Sequence, residues 1–515
     1  MISTRRSPRR PRPRLRLAVG LASGASTVAL ALAASPATAA GTVSASFDAG
    51  SGILTIIGDN QDNVILIGRE PAGRILVNSG SVPIAGGVPS VANVVQISAF
   101  GLGGNDVVKL QEDNGAMPGA NLFLGTGDDS GTGGSGADAL FGQAGTDVLN
   151  PAGGADAAFG GDDRDFLFAS DGNDHLNGEN GDDQLTWRSG DDDDTLDGGP
   201  GTDAVVAEGS NFGDLVTVDS EAVGSVAIGL DGREATARAE RVDVSTGSGS
   251  DTVLVSPGAQ LAAATHLRLL GGPDTDVLLG GDGDEDLIGA DGTDLLDGGA
   301  GADTLLGSAG DDVLRGGRGA DRVDGESGDD RIEWAAGDGD DRVDGGADDD
   351  LLAVATGAAP DTASVVAAAG GRYAVRSAGV FALDAATERV ELAGGAANDN
   401  LSVGVGLGAV TRVRLLGEAG DDRLDGNEGR EELLGGDGND GVFGQGGDDT
   451  LDGGTGNDTL LGHGGSDLAQ GGEGDDLLLG GAGNDNLDGG PGFDFLRGGT
   501  GFDVGFNGED VRSVP

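Results

Sequence analysis

Aspartate recurs at every ninth residue in three long stretches of this chain, as at Asp440, Asp449, Asp458, Asp467, Asp476, Asp485 and Asp494, each time just behind a cluster of glycines. A carboxylate is a hard oxygen ligand. Carboxylates held at a fixed spacing can be neutralised together by bound cations, so that the charge becomes a ligand set and folding waits for metal. The bland alternative is that each is a solvated turn residue, as Asp commonly is beside Gly. A turn, however, needs no carboxylate at the same place in successive frames, and rows of uncompensated charge repel.

The composition poses the same question. Among 515 residues, acids outnumber bases 88 to 30, the net charge is −58, glycine supplies 104 residues and aromatics only 3%. High charge with so little apolar surface normally marks disorder, because burial cannot offset the entropy of ordering. Regular carboxylate spacing offers a cation as the remedy. Acidity of this size argues against nucleic acid or an anionic membrane as partner, since both reward Lys/Arg clusters, and Lys109 is the only lysine. The absence of cysteine excludes disulfides, thiolate zinc sites and Cys nucleophiles.

The elements that must position these aspartates repeat with the same period. In the frame Gly480-Gly481-Ala482-Gly483-Asn484-Asp485-Asn486-Leu487-Asp488, glycine at positions one, two and four is expected to supply the positive φ values of a tight loop. Three residues then extend. The eighth position is apolar at Leu424, Leu433, Val442, Leu451, Leu460, Leu478, Leu487 and Leu496, which predicts one inward side chain per strand. Frames run without a slip from Gly417 to Gly498. A middle array keeps register from Gly271 to Glu333, and a first from Gly133 to Thr186, where Pro151 and Ala169 depart from glycine. Trp187 and Trp334 each open an eleven-residue departure and are expected to pack over an exposed edge. The runs Asp191–Asp194 and Asp348–Asp350 read as solvated charge.

The frames are similar to GGxGxDxUx, the hemolysin-type or RTX calcium-binding nonapeptide, over about half of the chain. That resemblance implies that two nonapeptides make one turn of a parallel β-roll, that aspartates eighteen residues apart stack on one edge, and that Ca²⁺ sits between stacked loops. Carried over residue by residue, it assigns the ligands to Asp138, Asp147, Asp156, Asp165, Asp174 and Asp183 in the first array. In the middle array it assigns Asp276, Asp294, Asp303, Asp312, Asp321 and Asp330, with Glu285 substituting once. In the third it assigns Asp422, Asp440, Asp449, Asp458, Asp467, Asp476, Asp485, Asp494 and Asp503, with Glu431 substituting once. Ca²⁺ suits this donor type, because it takes six to eight oxygens in flexible geometry, whereas Mg²⁺ demands a tight octahedron.

The arrays belong to a unit that occurs three times, with Gly125, Gly271 and Gly417 spaced 146 residues apart. Between them lie spacers rich in Val, Ile, Ala and Thr, whose runs Ile53–Ile57, Val64–Ile67 and Val94–Ile97 predict strands. The expected fold is all-β, with three parallel β-roll arrays alternating with small β modules. The predicted boundaries are a signal peptide over 1–39, β module 1 over 40–124, array 1 over 125–203, β module 2 over 204–270, array 2 over 271–352, β module 3 over 353–416, and array 3 with a tail over 417–515. The leader carries seven arginines before residue 17, an apolar run from Leu17 to Ala34 and Ala37-Thr38-Ala39, the pattern of a cleaved secretory signal.

Motifs for catalysis are missing. His175, His266 and His463 stand singly, so no His-Glu-x-x-His exists, and no Gly-x-Ser-x-Gly occurs. Gly131–Gly136 matches a dinucleotide fingerprint only as chance allows in so glycine-rich a chain, and Asp282, Asp284 and Asp286 lack the glycine and terminal Glu of an EF-hand loop. The expectation is a secreted, extracellular, non-enzymatic calcium-binding scaffold that folds on Ca²⁺, has calcium ions as its partners, and neither binds nucleic acid nor inserts into a membrane once the leader is removed. The alternatives are an adhesin whose β modules bind a cell-surface or matrix partner, and an extracellular hydrolase with its catalytic residues in the spacers.

Overall fold

A computed structural model describes residues 41–514 apart from 221–223, 257–265, 369–371, 378–380, 408–411 and 509. The expected leader and its cleavage site lie outside the described residues.

Each nonapeptide makes one short strand and one loop. Thr450–Thr455 extends, Gly456-Asn457-Asp458 turns the chain, and Thr459–Gly464 extends again. These two strands do not pair with each other. Thr450–Thr455 lies parallel to Leu468–Glu473 with Thr450 opposite Leu468, and Thr459–Gly464 lies parallel to Leu477–Ala482 with Thr459 opposite Leu477. Partners are therefore eighteen residues apart. The chain winds as a flattened coil through two parallel sheets, two nonapeptides to the turn.

The period of two along each strand sends the eighth residue inward. Leu433, Leu451, Ala469 and Leu487 stack from one sheet, facing Leu424, Val442, Leu460, Leu478 and Leu496 from the other. All are buried in a core that runs on through the other arrays and the spacers. Each leucine removed from water contributes about 1.5–3 kcal/mol, so the coil is held by one side chain per strand.

The spacers do form strands, and those strands enter the same two sheets. Gln184–Arg188 pairs with Ala204–Glu208, that strand with Arg241–Ser245, the next with His266–Pro273, and this one with Glu285–Asp291, all parallel. The alternation of arrays and modules is thus a division of sequence. In space the roll continues through it, and the described residues belong to one compact unit. What the spacers add is an antiparallel meander: Leu215–Ser220, Val226–Leu230 and Arg233–Arg238 in the second, and Thr362–Ala367, Tyr373–Ser377 and Phe381–Ala386 in the third. The two meanders occupy opposite sheets. The reason is arithmetic: one 146-residue unit contains an odd number of half-coils, so the equivalent strands Ala120–Thr126, His266–Pro273 and Arg412–Ala419 fall in the first sheet, the second, and the first again.

Two sequence expectations need correction. Trp187 and Trp334 do not cover an exposed edge; they are buried, at 0% and 4% exposure. Trp187 occupies a position that ordinary frames give to glycine, and the two extra residues of its frame lengthen the loop enough to admit an indole, whose Nε1 donates to the Asp192 carbonyl at 3.1 Å. The glycines, too, have different jobs. Gly454 and Gly456, at positions two and four, adopt φ of +102° and +126°, but Gly453 at position one has no such backbone. It is glycine because of what lies beside it.

Candidate metal centre

Turning at Gly454 and Gly456 carries Asp458 back beneath Gly453. Oδ1 of Asp458 accepts the N–H of Asp440, one coil earlier, at 2.7 Å, while the N–H of Asp458 donates to Oδ1 of Asp476 at 2.8 Å. The same link joins Asp422 to Asp440 and Asp476 to Asp494 along that edge. On the opposite edge it joins Glu431, Asp449, Asp467, Asp485 and Asp503 at 2.9–3.1 Å.

The other arrays repeat this ladder. Asp138, Asp156 and Asp174 form one row and Asp147, Asp165 and Asp183 the other. Asp276, Asp294, Asp312 and Asp330 form the third row, and Glu285, Asp303 and Asp321 the fourth. All the assigned aspartates except Asp503 are buried.

One oxygen of each carboxylate is therefore spent on the ladder, and the second decides the chemistry. Among the assigned aspartates, Oδ2 is buried without a hydrogen-bond partner everywhere but at Asp138 and Asp174. At Asp138 it accepts the Gly134 N–H at 2.6 Å, and at Asp174 the N–H and hydroxyl of Ser170, both at 3.1 Å. The two glutamates are also satisfied, since their longer arms reach the N–H of Gly281 and of Asn427 at 3.1 Å. Where position one is glycine, the orphaned oxygen faces that residue of its own loop. A Cβ on Gly453 would strike both Asp458 Oδ2 and the Gly471 carbonyl oxygen of the next coil, so the position is closed to carbon and lined by oxygen.

Leaving a buried carboxylate oxygen unpaired is costly, and the titration behaviour shows it. Burial, reinforced by neighbours in the same row, pushes Asp147 up to about 8 and Asp129, Asp165, Asp303, Asp440 and Asp449 up to about 7. The ladder N–H opposes the shift without cancelling it. These groups want either a proton or a cation. A hard divalent ion fits, because the orphaned Oδ2 atoms and the loop carbonyls are the oxygens it takes. Among the described residues, no three acidic or histidine side chains converge on one point, so backbone carbonyls must complete any coordination shell.

Within the array boundaries five aspartates of these rows were not assigned from sequence; one, Asp341, accepts the Asp321 N–H at 2.9 Å, and the other four share a further feature. Asp129 donates to Asp147, while Asp194, Asp203 and Asp350 accept from Asp174, Asp183 and Asp330 at 2.7–3.0 Å, and all four keep an orphaned Oδ2. Asp129, Asp194 and Asp350 stand in frames lengthened or degraded past the glycine pattern, whereas Asp203 follows the intact Gly198-Gly199-Pro200-Gly201 loop just beyond the departure at Trp187. A smaller signal would have found three of them: an apolar residue two positions after the aspartate, as in Asp194-Thr195-Leu196, Asp203-Ala204-Val205 and Asp350-Leu351-Leu352. The same rule separates Asp194 and Asp350 from the solvated members of their acidic runs.

The RTX calcium-binding nonapeptide repeat matches residues 123–211, 268–332, 335–358 and 414–504, just over half of the chain. No curated protein matches it. Among the described residues no helix is long and apolar enough to cross a membrane.

Proposed function

Because the chain belongs to the RTX calcium-binding nonapeptide repeat family, whose repeats bind Ca²⁺, we propose that it is a secreted, non-enzymatic scaffold in which calcium binding and folding are one event. The observation that carries this reading is the set of buried rows of carboxylates, most of them with one oxygen left without a hydrogen bond. The ligands are the assigned aspartates with an orphaned Oδ2, together with Asp129, Asp194, Asp203 and Asp350. Asp138 and Asp174 contribute less, since loop donors already hold both their oxygens. Calcium supplies the countercharge that lets the coils stack, and the protein supplies the spacing. Secretion rests on the leader pattern of residues 1–39, and the sequence boundaries mark three arrays separated by meander-bearing spacers.

Circular dichroism of the full chain tests the central claim. The β signal should be small in EGTA, grow on adding millimolar Ca²⁺ and respond little to Mg²⁺. Identical spectra with and without calcium would refute it. Fractionation into cells and culture supernatant tests secretion.

The adhesin reading has one observation in its favour: Phe212 and Leu215, beside the meander of the second spacer, stand 78% and 54% exposed. Retention of the protein on cells, lost on Phe212→Ser, would support a partner at that place.

A further inference from the structure

A cavity of about 590 Å³ lies on the outer face of the first sheet, in the first array and away from the carboxylate rows. Two rows of residues along the roll build it. In one, Gln143, Gly161 and Glu179 stand in register on successive coils, and Gly199 follows beneath the Glu179 carbonyl. A Cβ on Gly161 would strike the Gln143 carbonyl oxygen, and one on Gly199 the Glu179 carbonyl oxygen. Side chains and bare backbone therefore alternate, and the gaps become the floor. Gln143 and Glu179 hold φ of +85° and +69°, a conformation that side chains rarely adopt, and both are exposed. In the neighbouring row, Phe100, Phe123, Phe141 and Phe159 give way to Asn177 and Asp197. The last ring, Phe159, meets His175 edge-on at 6.1 Å, and past it the smaller Asn177 opens the space. Asp162 and Asn180, joined by a 3.0 Å hydrogen bond from Asn180 Nδ2, wall the loop side together with Pro200.

The lining selects a class of ligand. Apart from Pro200, every side chain on it is polar, three carboxylates and three amides. Amides donate and accept while carboxylates accept, which is the set that a ring of hydroxyl groups needs. An apolar molecule finds no apolar wall here, unlike in the usual small-molecule site. An anion meets three carboxylates, and Arg238 is already paired with Asp197 at 3.5 Å. A bare metal ion fares no better, since no three acidic or histidine side chains converge among the described residues. The phenylalanine row adds the apolar half of the match. Its part-exposed rings, 4.8–5.2 Å apart, form a track along the roll that leads to the cavity, and the C–H faces of a sugar chain can lie against it.

We propose that the cavity and the phenylalanine row together bind an uncharged polysaccharide, with one sugar unit held by Gln143, Asn177 and Glu179 and the neighbouring units lying along Phe159 and Phe141. Binding at this place is separate from the calcium chemistry, which enters only by folding the roll. It gives a strongly acidic scaffold a means of attachment that needs no countercharge on its target.

Affinity electrophoresis of the full chain in millimolar Ca²⁺ tests this, in gels carrying a neutral glucan, mannan or galactan, with alginate as the charged comparison. At least one neutral polymer should retard the chain, and alginate should not. For that polymer, N177A/E179A should weaken binding about tenfold or more, because two hydrogen-bonding side chains are lost. Glu179→Gln, which keeps the hydrogen bonds without the charge, should bind as wild type does, and so should Glu473→Ala, an exposed residue of the third array. F141S/F159S should weaken binding of the polymer while leaving that of its disaccharide unchanged. No retardation by any of the three neutral polymers overturns the assignment, as does equal retardation by alginate. It is overturned too if N177A/E179A, with the wild-type β signal in Ca²⁺, binds the polymer as tightly as wild type. Should the double variant lack that signal, N177A and E179A singly give the same readout.

Discussion

In the first array, two of the six assigned aspartates already have both carboxylate oxygens hydrogen-bonded by the protein; in the third array none of nine does. The first array also carries apolar support, a stack that runs from Phe100 and Phe123 of the first spacer onto Phe141 and Phe159 at 4.8–5.2 Å between ring centres. Among the described residues the third has no such stack, and it keeps an unbroken nonapeptide register. The same coil is therefore stabilised in two ways, by side chains and loop donors in one region and by an external ion in the other. Desolvation divides them too. Burial pushes Asp147 up to about 8 in the first array, while Asp440 and Asp449, the most displaced in the third, reach about 7.

The largest effect that tests this contrast is calcium removal. Each site held at a hundredfold over its Kd contributes about 2.7 kcal/mol, and the third array has the more sites. In EGTA at pH 7.5, peptides from 417–504 should lose their protection from hydrogen exchange, while those from 133–186 keep part of theirs. Unbroken register works in the other direction at low but non-zero calcium, because stacked repeats gain cooperativity from every intact interface. The transition of the third array should therefore be the steeper one. Equal loss of protection in both arrays would break the comparison.

Protons should partly replace calcium. The aspartates whose folded values lie above the unfolded value hold protons more tightly when folded, so stability is gained as pH falls through the folded value and lost as pH rises through it. With calcium chelated, the first array should begin to recover protection below about pH 8, where Asp147 takes up its proton, and the third below about pH 7, where Asp440 and Asp449 do. Calcium should abolish the dependence above pH 6. Recovery of both arrays at one pH would show that their desolvation does not differ.

Two substitutions measure the shared scaffold. Leu460→Ala, at a fully buried position facing the opposite sheet, should cost about 2–5 kcal/mol with calcium present. Ala158, equally buried in the first array, already holds the smaller side chain. Gly453→Ala should cost about 1–3 kcal/mol by overpacking and should also weaken calcium binding, since the added carbon meets Asp458 Oδ2 and the Gly471 carbonyl. A Gly453→Ala chain that is destabilised but binds calcium normally would separate the glycine from the site.

Much of this was legible in the sequence. The nine-residue period carries the two-frame coil, and the inward eighth residue follows from alternation along a strand; Leu424, Leu451 and Leu478 lie where that reasoning puts them. What stayed hidden depends on contacts between coils. Gly453 looks like a turn residue until the carboxylate beneath it is seen, and Trp187 looks like an edge cover until its longer loop lets it inward. The spacers look separate because their composition shifts, although a parallel sheet accepts any strand of the right length with an inward apolar residue.

The smallest effect isolates one link of the ladder in each array. Asp458 and Asp476 are adjacent in one row, joined by an N–H to Oδ1 bond of 2.8 Å, while Asp467 belongs to the other row. Replacing Asp458 and Asp476 by Asn, singly and together, should give a coupling energy of about 0.5–3 kcal/mol in calcium-bound stability, because contacting groups that share ligands are not additive. The pair Asp458 and Asp467 should add within about 0.5 kcal/mol. In the first array, Asp156 and Asp174 have the same ladder bond, at 2.9 Å, but Ser170 holds the second oxygen of Asp174. Their coupling should be smaller than that of Asp458 and Asp476, and adding Ser170→Ala should raise it, because the freed oxygen then turns to the cation. If Asp156 and Asp174 couple as strongly as Asp458 and Asp476 with Ser170 intact, loop donors do not substitute for calcium, and the two arrays are stabilised in the same way.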